Sequence, residues 1–274
     1  MLPDLRNPDA TMSFLDHLEE LRRRILWSLA TLLVTAVIGF YLTTEFGVIE
    51  FLTSPVRPLL ENGRLAYLKP TEPFLVTFKV GLFLGVILAL PVLFWHFWRF
   101  VAPGLLAREK RIFIPAVLIS VALFVGGAAL AFFAVLPVGL KFLFGFATDA
   151  LEPVITIGDY FSFAMHITLA FGVIFETPLV ITVLTYVGAL SPRTLKKYRR
   201  HAIAVMAVLS ALLTPGGDPF SMVLMLGPLY LLFEASLVVS TVIERRREKE
   251  AARALRAEAR EAGRRDEGLK PSDA

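Results

Sequence analysis

The chain has no cysteine in 274 residues, which removes disulfides, thiolate nucleophiles and cysteine-ligated metals at once. Charge is scarce too: 19% of residues are Asp, Glu, Lys or Arg, against about a quarter in a soluble domain. Apolar side chains fill the gap, at 56% of the chain, and they fall in blocks. Residues 34–42, 82–98, 112–136, 161–190, 202–213 and 222–243 are nearly free of charge. Several of these blocks approach or exceed the roughly 18–20 apolar residues that cross a bilayer as a helix. The composition therefore predicts an all-α, polytopic membrane protein. It excludes a soluble enzyme, a nucleic-acid-binding protein and a disordered scaffold, although the net charge is +4. Other absences narrow the field further. There is no G-x-x-x-x-G-K-[ST] phosphate loop, no H-E-x-x-H and no G-x-S-x-G, which argues against a P-loop motor, a zincin and a serine hydrolase. Nor do the halves show the inverted repeat of many secondary transporters.

Six spans are predicted, at about 25–43, 74–98, 112–137, 160–189, 202–213 and 221–243. Of 28 Lys and Arg, 23 fall in the N-terminal segment, the loops after spans two and four, and the C-terminal tail. The exceptions are Arg57, Arg64, Lys69, Lys79 and Lys141. Positive charge marks the cytoplasmic side, so both termini are expected there, as an even number of spans requires. Asp4, Asp9, Asp16, Glu19 and Glu20 make the N-terminus unlike the positive start of a secretory signal, and the first span is read as a retained anchor. On the opposite side, residues 44–73 carry Pro55, Pro58, Pro70 and Pro73, an irregular but stiffened cap. Span five, at twelve residues, reaches only about 18 Å at 1.5 Å per residue. That falls short of a hydrocarbon core of about 30 Å, a mismatch met by bilayer thinning or by packing against neighbours. The organisation expected is a six-span membrane domain over 1–243 and a charged cytoplasmic tail over 244–274. That tail, with ten basic and eight acidic residues, reads as a solvated helix giving way to disorder after Asp266.

The chemistry rests on a few carboxylates. In SFLDHLEELRRR at 13–24, Ser13 is an N-cap candidate with Asp16 as a weak capping-box partner. Phe14, Leu18, Leu21 and Ile25 form one apolar helical face, predicting an amphipathic helix in the cytoplasmic interface before span one. Glu19 and Glu20 have two readings: pairing with Arg23 and Arg24 at i+4, or carboxylates offered to a cationic partner, since a carboxylate takes a guanidinium in a two-toothed fork. Glu109 stands alone among Arg108, Lys110 and Arg111 in the next cytoplasmic loop. Together the two acidic positions suit two guanidinium groups bound at once. Glu176 and Glu234 fall within spans four and six, where an ionised side chain costs at least about 2.5 kcal/mol and marks a functional site or a structural hydrogen bond between helices. His166, in the same span as Glu176, reads as an interhelical hydrogen-bond partner. Gly81 and Gly85 form a G-x-x-x-G that predicts close helix packing.

Taken in order, these blocks resemble the TatC family, the multi-spanning receptor subunits of the bacterial twin-arginine protein translocase. The resemblance runs from about Met12 to Ile243. It is carried by HLEELRRR at 17–24, FVAP at 100–103 followed by EKR at 109–111, FGVIFETP at 171–178, LTP at 213–215 with DPFS at 218–221, and LFE at 232–234. The resemblance implies a concave bundle of six helices. It also implies binding of Arg-Arg signal peptides of folded cargo through Glu20 and Glu109, with Arg22, Phe100 and Glu19 around them. Glu176, Thr214 and Glu234 correspond to polar positions in or near the membrane that face partner subunits, and Asp218 and Pro55 to the far-side loops. The implied partners are small single-span subunits of TatA or TatB type. The chain would form a homo-oligomer within that hetero-oligomeric complex, in the bacterial cytoplasmic (inner) membrane. Transport would be driven by the proton-motive force, with no enzymatic activity, cofactor, metal or nucleic acid. Two departures stand out: the last turn reads Pro215-Gly-Gly-Asp218, one residue longer than the family's usual form, and Met222 stands where many members carry glutamine. The alternative is a proton-coupled secondary transporter using Glu176 and Glu234 as a relay.

Overall fold

The computed structural model describes residues 14–60, 63–101, 113–145, 154–186, 188, 190–213 and 219–268. The chain forms two compact units, one of Met1–Phe175 with Leu213–Ser221, the other of Glu176–Leu212 with Met222–Ala274. Among the described residues there is no strand; a lone parallel bridge joins Ala66 and Thr156.

The first unit opens with α1, Phe14–Glu45, and no break separates the amphipathic stretch from the first span. Neither Gly nor Pro occurs between Phe14 and Ile38, so nothing interrupts the hydrogen-bond ladder. The expected separate interfacial helix is thus the first turns of α1 itself; its Ser13 cap lies outside the described residues. Two short turns follow, α2 at Val48–Thr53 and a 3₁₀ turn at Arg57–Leu59. Then come α3 at Glu72–Val101 and α4 at Phe113–Leu130. A π-helical turn, Ala131–Val135, leads into α5 at Leu136–Gly145, and α6 spans Ile157–Ile174.

Glycine decides how α1 and α3 meet. A Cβ on Gly85 would lie 2.6 Å from Ala36 Cα, one on Gly81 2.7 Å from Phe40 Cα, and one on Gly39 2.7 Å from Gly85 N. The G-x-x-x-G predicts close helix packing, and these two backbones touch where no side chain could fit.

At the far end, the proline-rich connection is an ordered cap. Val56 is fully buried in a cluster with Val76, Val80, Leu136, Tyr160 and Phe161. Tyr160 Oη donates to the Leu52 carbonyl, while Ala66 N donates to Ile155 O at 3.0 Å and Ile157 N to Ala66 O at 2.7 Å. Thr156 caps α6, its hydroxyl accepting from Asp159 N at 3.1 Å.

The second unit holds α7 at Thr177–Tyr186, α8 at Pro192–Lys197, α9 at Arg199–Leu213 and most of α10, Pro219–Gly268. The fourth apolar block is therefore two helices, α6 and α7, with a turn at Phe175–Glu176. Pro178 explains it: proline has no N–H to give to the carbonyl four residues back, and its ring crowds that carbonyl. The ladder resumes when Val180 N donates to Glu176 O at 3.0 Å. Within this unit Thr185 Oγ1 donates to Ser240 Oγ at 3.1 Å and Ser210 Oγ to Met222 O at 2.5 Å.

Five helical stretches are long and apolar enough to cross a membrane: Leu15–Glu45, Glu72–Phe100, Ile114–Gly145, Ile157–Tyr186 and Pro219–Arg246. Several of their hydroxyls bond back to their own helix. Thr43 donates to Gly39 O at 2.7 Å, Thr77 to Pro73 O at 2.8 Å and Thr168 to Ala164 O at 2.7 Å, which satisfies the polar group without a water. The short helix α9 has 15 residues, about 22 Å.

Candidate functional site

The first turns of α1 carry the acidic and basic residues that the sequence singled out. Asp16, Glu19, Glu20, Arg22, Arg23 and Leu26 line a cleft of about 490 Å³. Their spacing of three, four, six, seven and ten residues from Asp16 follows one side of a helix. Glu19, Arg22 and Arg23 are exposed.

Glu20 differs from its neighbours. Its carboxylate is only 12% exposed and faces the Arg24 guanidinium, itself 11% exposed. Arg24 Nε donates to Glu20 Oε1 at 3.0 Å, and Arg24 Nη2 donates to the same oxygen. The other oxygen, Oε2, is buried and accepts no hydrogen bond among the described residues. His17 Nδ1 stands 4.0 Å from it. The His17 ring lies flat on Phe100, with centroids 4.3 Å apart and planes 12° apart. Phe100 is at the end of α3, so this stack joins the starts of the site on α1 to the second helix. Glu20 and Phe100 are therefore brought to one place, with Glu19 and Arg22 on the adjoining cleft wall. Of the two pairings foreseen for Glu19 and Glu20, the i+4 bridge forms at Glu20–Arg24; Glu19 and Arg23 make no ion pair among the described residues.

Glu109, Thr214 and Asp218 fall outside the described residues. Pro55 is half-buried beside Val56 in the far-end cap. Glu176 is half-buried at the turn that opens the second unit. Glu234, read from the sequence as an intramembrane acid, takes Arg199 Nη2 on its Oε2 at 2.6 Å. Arg199 is the first residue of α9 and belongs to the basic connection before it, so Glu234 sits level with that cationic end of the unit. His166 makes no bridge between helices among the described residues: Nδ1 is 2.6 Å from the Ser162 carbonyl one turn back, and the side chain is exposed.

Sequence reasoning overlooked three features. The His17–Phe100 stack joins residues 83 apart, and the Arg199–Glu234 pair joins residues 35 apart; neither has a local signal. The spacing marks Arg24 only as an i+4 partner of Glu20, and its near-complete burial makes it part of the site.

Comparison with known proteins follows the same outline. Residues 16–228 match the family model described as Sec-independent protein translocase protein (TatC). The chain is similar to the Sec-independent protein translocase protein TatC of Carboxydothermus hydrogenoformans, 36% identical over 236 residues, covering 86% of this chain and 96% of that protein. It is similar to the TatC of Aquifex aeolicus, 38% identical over 240 residues, covering 87% and 98%. It also superposes on a crystal structure of the twin-arginine translocase receptor TatC with a TM-score of 0.75 at 38% identity, covering 83% of this chain and 99% of that one.

Proposed function

This chain belongs to the TatC family of Sec-independent protein translocase proteins, and from that premise we propose that it is the subunit that receives Arg-Arg signal peptides of folded cargo. It is a membrane-spanning translocase component; the proposal concerns what its cytoplasmic end binds. Glu20 and Glu109 each take one guanidinium of the motif, and Arg22, Glu19 and Phe100 complete the binding set. The observation that carries this reading is the Glu20 carboxylate, which lines a cleft at the start of α1 and has one oxygen buried and without a hydrogen bond among the described residues. An ionised oxygen in that position is stabilised by a cationic donor. Arginine suits it better than lysine, whose ammonium is a point charge without the planar fork.

Around this core the proposal places the protein in the bacterial cytoplasmic membrane with both termini inside and α9 as a short fifth crossing. The proton-motive force drives transport, and small single-span subunits of TatA or TatB type assemble with further copies of this chain, with Glu176, Thr214 and Glu234 as the partner-contact positions. The relay alternative gains nothing from Glu234, whose carboxylate is held by Arg199.

The test is photo-crosslinking of a synthetic Arg-Arg signal peptide to the full chain in membranes. Glu20→Gln and Glu109→Gln are each expected to weaken crosslinking by about tenfold, the loss of one charge-assisted contact, while membrane insertion is unchanged. Undiminished crosslinking in both variants would refute the assignment.

A further inference from the structure

The Glu20 site is already occupied by a guanidinium, and that guanidinium belongs to the chain itself. We propose that Arg24 is an internal competitor for the Glu20 carboxylate: it sets the minimum affinity that a cargo arginine must exceed to enter. This inference rests on the reading of Glu20 as a cargo-binding residue.

Four observations carry it. First, Arg24 is the same chemical group as the proposed ligand, and it points both Nε and Nη2 at Glu20. Second, both side chains are largely withdrawn from solvent, so the contact is screened less than an ordinary surface pair. Third, the hold is one-sided. A free guanidinium grips a carboxylate best with two parallel N–H bonds, one to each oxygen. Arg24, tethered four residues along the same helix, delivers both of its donors to Oε1. Oε2 remains turned toward His17, 4.0 Å away, and without a hydrogen bond among the described residues. Fourth, the α3 side is closed. The His17 ring that faces Oε2 is stacked on Phe100, while Glu20 also lines the cleft on α1.

The physical consequence is a threshold. A cargo arginine approaching Oε2 first shares the carboxylate with Arg24, two like charges on one acceptor, and then completes its own fork when Arg24 withdraws. The cost of releasing Arg24 is common to every ligand that takes the carboxylate. Weak ligands such as a lysine pair fall below it, while a forked arginine clears it. Because the cost is common, Arg24 does not alter the ratio between ligands. It shifts all of them together, which separates a competitor from a residue that merely positions Glu20.

The experiment measures peptide affinity for the purified full-length chain, using fluorescent synthetic signal peptides that carry Arg-Arg or Lys-Lys at the motif. Arg24→Gln is expected to tighten both peptides by the same factor, about three- to tenfold, the worth of one partly buried charge-assisted contact. Arg23→Gln removes the same charge from an exposed neighbour without touching Glu20 and is expected to give a smaller gain. Unchanged or weaker binding in an Arg24→Gln protein that keeps its thermal midpoint would overturn the proposal. So would a gain no larger than that of Arg23→Gln. Should Arg24→Gln fail to assemble, Arg24→Lys carries the test: it keeps the charge, loses the doubled grip, and should still tighten both peptides. Glu20→Gln separates the two levels. If it binds as the unaltered chain does, the reading of Glu20 itself fails; if it weakens binding while Arg24→Gln brings no gain, only the competitor fails.

Discussion

At the scale of single residues, burial decides what a polar contact is worth. Two ion pairs make the point. Arg193–Glu248, at 3.7 Å with side chains 84% and 59% exposed, is of the kind that contributes little. Glu20–Arg24, nearly withdrawn from water, holds a carboxylate in a defined orientation. The Tyr160 hydroxyl is a further case: the ring is buried in the far-end cluster and its O–H donates to the Leu52 carbonyl. Tyr160→Phe keeps the ring and removes the donor. The expected loss is about 1–2 kcal/mol, since the carbonyl then stays buried without its partner, read as a lower thermal midpoint in detergent with cargo binding unchanged. Such contacts are hard to see in sequence. Leu52 and Tyr160 are 108 positions apart, and no local pattern announces their meeting, whereas Glu20 and Arg24 announce theirs by spacing alone.

At the scale of the element, apolar blocks and glycine were the readable signals. The charge-free runs located the membrane helices, and Gly81 with Gly85 foretold a tight crossing, because a missing Cβ is visible in sequence in a way that a partner surface is not. The partner had to come from the structure: Gly39 on α1, which carries no motif of its own. The turn at Phe175–Glu176 was equally hidden, although Pro178 supplies its cause, because a long apolar run drowns one proline in the hydrophobic pattern. His166 was misread for a related reason: composition shows that a polar side chain needs a partner in lipid but not that the carbonyl one turn back can serve. The glycine crossing yields a paired prediction. Gly85→Val, facing Ala36 backbone at 2.6 Å, should force α1 from α3 and cost about 1–3 kcal/mol, as overpacking does. Gly126→Ala, in a helix interior with nothing within 4 Å of the added Cβ, should stabilise by about 0.5–1 kcal/mol. Thermal midpoints of the two purified variants, moving in opposite directions, would check both.

At the scale of the whole molecule, orientation is the property that charge makes legible, and the absence of cysteine makes it measurable. A single introduced thiol is the chain's only one. Ala252→Cys, on the exposed part of α10, is expected to react with a membrane-impermeant maleimide only when the cytoplasmic face is accessible; Ser54→Cys, exposed beside the far-end cap, should react only from the opposite face. Labelling with the two faces exchanged would reverse the topology, and labelling of both from one side would overturn it. The last helix adds a consequence of its own. α10 continues for 50 residues from Pro219 to Gly268, passing from a largely apolar stretch into one of alternating charge without a break. Starting a helix in water is improbable, with a nucleation constant of about 0.001, while lengthening an existing one is nearly free. The charged segment never has to start: the membrane-borne turns are its seed, and it only propagates from them. It is a zipper with one open end, so heat or salt can unwind it only from Gly268 inward, one turn at a time, toward a bilayer that holds the first turn closed.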